Sequence, residues 1–98
     1  MLKNILLIIF FVTLNMAATV RGQIVDEVGV PLQNASVFLI GTNQGTYSDV
    51  DGYFTLTNIA EGSYSIQVNF LGFKSYISDQ IEINDGEIST INVFMEQI

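Results

Sequence analysis

From Val20 onward, apolar side chains recur at every second position in short runs, and each run is cut by a turn signal. A repeat of two is the strand repeat, because successive side chains of a strand point to opposite faces. The clearest run is Ser63 to Leu71, where Tyr64, Ile66, Val68 and Phe70 alternate with Ser63, Ser65, Gln67 and Asn69, which predicts one core face and one wet face. Shorter runs predict further strands: Val20, Gly22 and Ile24 inward in the first, and Ala35, Val37 and Leu39 inward in a second from Asn34 to Ile40. A third is expected near Thr46 to Ser48, and a fourth from Tyr53 to Thr57 points Phe54 and Leu56 inward. After Ser63 to Leu71, a bend at Gly72 leads into Phe73 to Ser78, Ile81 and Ile83 continue the alternation, and Ile91, Val93 and Met95 line a last strand. Beyond the N-terminal segment no helical period spans more than a turn. Turn signals at intervals of roughly 8 to 12 residues imply an all-β chain, a single seven-stranded β-sandwich.

The first nineteen residues follow a different rule. Lys3 precedes an almost unbroken apolar run from Ile5 to Leu14, and Met16, Ala17 and Ala18 supply small residues for cleavage, so this segment is expected to be a signal peptide helix. The domains expected are therefore 1–19, the signal peptide, and 20–98, the folded domain, with mature protein starting near Thr19 to Arg21. Without Lys3, two cations face ten carboxylates, a net charge of −8, which argues against nucleic acid as a partner. There is no cysteine, hence no disulfide framework and no lipid anchor on cysteine. A domain of this size, burying only about 60% of its unfolded surface, must hold by core packing alone.

Gly41 to Thr57 concentrates the turn chemistry, with Asn43-Gln44-Gly45 and Asp51-Gly52 on either side of a short polar run. Asp-Gly ahead of an alternating run predicts a β-hairpin, whose register Gly45, Asp49, Gly52 and Phe54 are expected to set. The same stretch offers Asp49 and Asp51 as weak calcium candidates. With Gly52 placed at the glycine of an EF-hand loop, these two fall at ligand positions three and five, but Tyr47 and Asn58 then stand where acidic ligands belong. Histidine and cysteine are both absent, which removes the usual nucleophile systems and the histidine-bearing zinc sites. No catalysis and no cofactor are expected. Phe38 and Ile40, opposite the inward face of the second strand, predict an outward apolar pair that needs a cover, a candidate interaction surface. Tyr47 and Tyr53 are the tyrosines best placed to stack on a glycan, although core and rim packing is the commoner use.

Three pieces stand in a telling order: Val20-x-Gly22-x-Ile24-x-Asp26 with Gly29-x-Pro31-Leu32-x-x-Ala35-x-Val37; Gly41-Thr42 with Thr46-x-Ser48-Asp49-x-x-Gly52-x-Phe54; and Gly62-x-Tyr64 leading through Val68 to Gly72-Phe73. This order resembles the carboxypeptidase regulatory-like domain, a transthyretin-like (prealbumin-like) β-sandwich, in the version found after the signal peptide of TonB-dependent outer-membrane receptors, including the SusC type. Ala60 stands where the family often has proline. The resemblance implies a non-catalytic, exported accessory domain on the periplasmic side of the outer membrane, in contact with other domains or subunits of a nutrient-uptake complex. The alternative is a free-standing periplasmic or secreted module that binds glycan or peptide. No metallocarboxypeptidase activity is implied, since that chemistry needs histidine ligands. The chain stops before any plug or barrel, so a receptor fragment and a complete small protein are both expected readings.

Overall fold

The computed structural model describes residues 17–98, so nearly all of the expected signal segment lies outside the described residues. Nine strands follow in order: β1 Ala18–Val25, β2 Ser36–Leu39, β3 Gly45–Tyr47, β4 Tyr53–Ile59, β5 Gly62–Tyr64, β6 Ile66–Asn69, β7 Tyr76–Ile77, β8 Ile81–Ile83 and β9 Ile88–Phe94. They form a three-stranded sheet in the order β4-β1-β9, a four-stranded sheet β3-β2-β6-β7, and a two-stranded pair β5-β8. The core lies between the sheets. Val20, Ile24, Phe54, Leu56 and Val93 come from the first, and Val37, Leu39, Ile66, Val68 and Ile83 from the others, all buried. The all-β sandwich expected from the alternation is therefore present, with nine strands where seven were predicted.

The extra strands come from breaks inside predicted ones. Ser63 to Leu71 is split at Ser65 into β5 and β6. Ser65 turns its carbonyl to the Ile40 N–H at 2.9 Å, while Ser78 covers the break from the other side, its Oγ accepting from Ile66 N at 2.9 Å and its N–H donating to Ile66 O at 2.9 Å. The bend carries Tyr64 out of the core, where alternation had placed it. It packs half-buried at the rim, and its hydroxyl donates to Ala60 O at 2.8 Å. Phe73 to Ser78 shortens to Tyr76–Ile77, because Phe73 pairs instead with Gln97 and Lys74 N bonds Glu96 O at 2.8 Å.

Gly41 to Thr57 is not one hairpin. β3 pairs antiparallel with β2, Phe38 opposite Gly45, whereas β4 pairs with β1 in the other sheet. The Asp49–Gly52 turn is thus a crossover between layers. A turn signal states where the chain reverses, and the partner is settled by which layer has room for Phe54 and Leu56. The hairpin turn is the earlier one, closed by Leu39 N to Gln44 O at 3.0 Å and Thr42 N to Leu39 O at 3.2 Å.

β1 organises the first sheet, antiparallel to β4 on one side and parallel to β9 on the other. It starts at Ala18, two residues before the expected boundary, and Ala18 is fully buried opposite Ile59. Gly22 admits β9 at close range: a Cβ there would lie 1.6 Å from the Ile91 carbonyl oxygen.

Candidate functional site

Two turns with the same bonding close one end of the sandwich. In Asp49-Val50-Asp51-Gly52-Tyr53, the Asp49 N–H donates to Tyr53 O at 2.8 Å and Gly52 N donates to Asp49 O at 2.9 Å. The Asp49 Oδ1 accepts from both Asp51 N and Tyr53 N at 2.9 Å. Asp26-Glu27-Val28-Gly29-Val30 repeats this bond for bond: Asp26 N to Val30 O at 2.9 Å, Gly29 N to Asp26 O at 3.1 Å, and Asp26 Oδ1 accepting from Val28 N and Val30 N at 2.9 Å. Short acidic side chains satisfy turn N–H groups in this way, and a glycine at positive φ closes the loop. The shared Asp-x-x-Gly spacing is the sequence signal of this bonding.

The second turn is also sewn to β1. Gly52 O accepts from Ile24 N at 2.8 Å, and Gln23 Nε2 donates to Asp51 O at 3.0 Å. One oxygen of Asp49 is thus committed to backbone donors. Among the described residues no three His, Cys, Asp or Glu side chains group to hold a metal ion, and Asp49 with Asp51 stand as a pair on the turn. Gly52 and Phe54 have adjoining roles, Gly52 against Ile24 and Pro31 and Phe54 in the core opposite Gly22. Gly45 lies one layer away, in β3 beside Phe38.

Next to Asp49 stands Ser48, a residue of the Thr46-x-Ser48-Asp49 motif to which the sequence assigned no role beyond the end of a short strand. Ser48 is the buried polar side chain of the described domain, its Oγ donating to Leu32 O at 2.6 Å and accepting from Ala35 N at 2.9 Å. It joins the β1–β2 connection to the start of the crossover.

Phe38 lies on the outer face of the four-stranded sheet, and Ile40 follows the end of β2. Phe38 is half-buried between Gly45 and Gln67, with Ile77 beyond Gln67, and Ile40 is 40% exposed. Tyr47 shares this face, opposite Ser36 and 69% exposed. Tyr53 is opposite Gln23 on the outer face of the other sheet, in a shallow depression with Arg21, Thr55, Thr90 and Asn92. Tyr47 and Tyr53 therefore lie on opposite sides of the sandwich, and the structure does not bring them together as one stacking platform.

Residues 19–96 match the model of the carboxypeptidase regulatory-like domain. The chain belongs to this family. Its curated relatives include the TonB-dependent receptor SusC of Bacteroides thetaiotaomicron, 35% identical over 79 residues that cover 76% of this chain and 8% of that receptor. Another is the TonB-dependent receptor P39 of Formosa agariphila, 31% identical over 62 residues, covering 63% of this chain and 6% of the receptor. The regulatory-like domain thus spans less than a tenth of the receptors it matches. Among solved structures, a chain of a type II cohesin–X–dockerin complex from Acetivibrio cellulolyticus superposes with a TM-score of 0.71 at 16% identity, covering 82% of this chain and 58% of that one. At that identity the likeness is one of fold.

Proposed function

We propose that this regulatory-like domain is an exported, non-catalytic accessory domain that works on the periplasmic side of the outer membrane, in contact with other parts of a TonB-dependent nutrient-uptake complex. The observation that carries this reading is the pairing of a family match over 19–96 with two relatives that are both TonB-dependent receptors. The site chemistry is in keeping with it. The acidic turn residues hold backbone, and the exposed features are an apolar sheet face and a strand edge, which suit contacts with protein. Export rests on the Lys3 to Ala18 segment of the sequence.

The test is cross-linking in the native bacterium of a tagged copy expressed from its own locus. The tag should fractionate with the outer membrane and cross-link to a TonB-dependent receptor or its partner subunits. Recovery in the soluble periplasm alone, with no receptor cross-link, would overturn the proposal in favour of a free-standing binding module.

A further inference from the structure

The three-stranded sheet has two edges, and the chain treats them differently. On β4 the outer edge is covered at both ends: Asp49 takes the N–H and the carbonyl of Tyr53, and Gln44 Nε2 donates to Thr57 O and Asn58 O at 3.1 Å. On β9 the ladder to β1 uses alternate residues, as parallel pairing requires. Thr19 N bonds Glu87 O at 3.0 Å and Met95 N bonds Val25 O at 2.8 Å, which fixes the odd-numbered residues as those facing β1. The backbone groups of Ile88, Thr90, Asn92 and Phe94 therefore point away from the sheet, and no partner for them exists among the described residues. The open edge ends at Glu96, whose carbonyl is taken by Lys74 N.

Soluble proteins normally blunt such an edge with lysine, proline, a bulge or a covering loop. Ile88–Phe94 has none of these: it runs seven residues, Ile-Ser-Thr-Ile-Asn-Val-Phe, without charge or proline and in unbroken register with β1. Ile88 and Phe94 are 58% and 68% exposed, and would meet alternate side chains of an added strand. We infer that the free edge of β9 is a docking site for an extended polypeptide segment of a partner protein, neutral in its middle and basic at its ends, which adds a fourth strand to β4-β1-β9. The charge of the occupant follows from the surroundings. Asp85 and Glu87 precede the strand, Glu96 at its far end is shared with Lys74 at 3.4 Å, and a second copy of the folded part would bring a further −8 against −8. The inference rests on the reading of the domain as one that serves protein contacts, and names the surface and the chemistry of what it takes.

The probe is a peptide of alternating threonine and valine with two lysines at each end, and its control has glutamates in their place. Amide hydrogen exchange is read by NMR on the full chain. With the lysine peptide, exchange at Ile88, Thr90, Asn92 and Phe94 should slow by about ten-fold or more, the signature of a pairing free energy near one decade in equilibrium constant. The glutamate peptide should leave it unchanged. Asn92→Lys, which places a cation on the outer face of the edge strand, should remove the protection while leaving the exchange of β1 as it was. Thr90→Pro deletes an outward N–H that β1 does not use and should do the same. No slowing, equal slowing by both peptides, or slowing confined to other strands would overturn the inference. So would peptide-independent slowing that grows with protein concentration alongside a doubled mass in ultracentrifugation, which would assign the edge to a second copy. Exchange reads the edge alone and cross-linking in cells reads the receptor association, so either result stands or falls without the other.

Discussion

At the scale of single residues, the two Asp-x-x-Gly turns form a natural experiment. Gly52 has φ +80° and Gly29 has φ +88°, so alanine at either site meets the same conformational penalty of about 1 kcal/mol. Their surroundings differ. A Cβ at Gly29 meets nothing within 4 Å, whereas at Gly52 it lies 2.5 Å from Ile24 O and 3.1 Å from Pro31 Cβ. Gly29→Ala is expected to cost about 1 kcal/mol and Gly52→Ala about 2 to 4 kcal/mol, since the latter also forces β1 from the crossover. Urea titration of both variants checks this, and equal losses would show that the packing of the second turn contributes nothing. Ser48→Ala provides the complementary case. It strands a buried carbonyl and a buried N–H at once, so a loss of about 2 to 3 kcal/mol is expected by the same measurement. Sequence reasoning found Asp49 and Gly52 because turn chemistry is local. The role of Ser48 was not legible, although the residue stands in the motif, because a hydroxyl's value is set by Leu32 and Ala35, which the fold brings to it from another loop.

At the scale of elements, alternation reported faces faithfully and partners poorly. Val37, Leu39, Phe54, Leu56, Val68, Val93 and Met95 all point where period two sends them, because a strand's pleat is set by its own backbone. Pairing depends on distant segments. Nothing in Ile88–Phe94 announces that it lies parallel to β1, nor does Asp51-Gly52 announce that the strands around it belong to different sheets. The start of β1 was likewise set by a partner, since Ala18 is held by Ile59 and Thr19 by Glu87. This bears on export. If the signal segment is removed as proposed, a cleavage that leaves β1 whole falls before Ala18, and N-terminal sequencing is expected to read Ala17 or Ala18 first. A chain made to begin at Val20 should be less stable by about 1 to 2 kcal/mol, from one lost methyl burial and one lost hydrogen bond. For a domain of this size that lowers the thermal midpoint by roughly 5 to 15 °C. An unchanged midpoint would show that the first two residues of β1 carry no weight.

At the scale of the molecule, charge is the unbalanced term. Ten carboxylates stand against Arg21 and Lys74 in the folded part, and the ion pair present, Lys74 to Glu96 at 3.4 Å, has both side chains more than 60% exposed. Such a pair contributes little in water, so it does not offset the repulsion. With no disulfide and a small core, that repulsion opposes a stability of only a few kcal/mol. Salt should therefore stabilise. Between about 0.05 M and 0.5 M sodium chloride the Debye length contracts from roughly 14 Å to 4 Å, shorter than the spacing of most charges on a domain this size. The urea midpoint is expected to rise by the equivalent of about 1 kcal/mol over that range, and a flat or falling midpoint would mean that the acidic groups are already balanced in the fold. Calcium chloride at matched ionic strength separates screening from a specific site at Asp49 and Asp51. Because Asp49 Oδ1 already accepts two backbone N–H groups at 2.9 Å, calcium at matched ionic strength should do no more than sodium, and Asp51→Asn should leave its effect unchanged. A calcium-specific rise that Asp51→Asn abolishes would instead make the crossover turn a cation site.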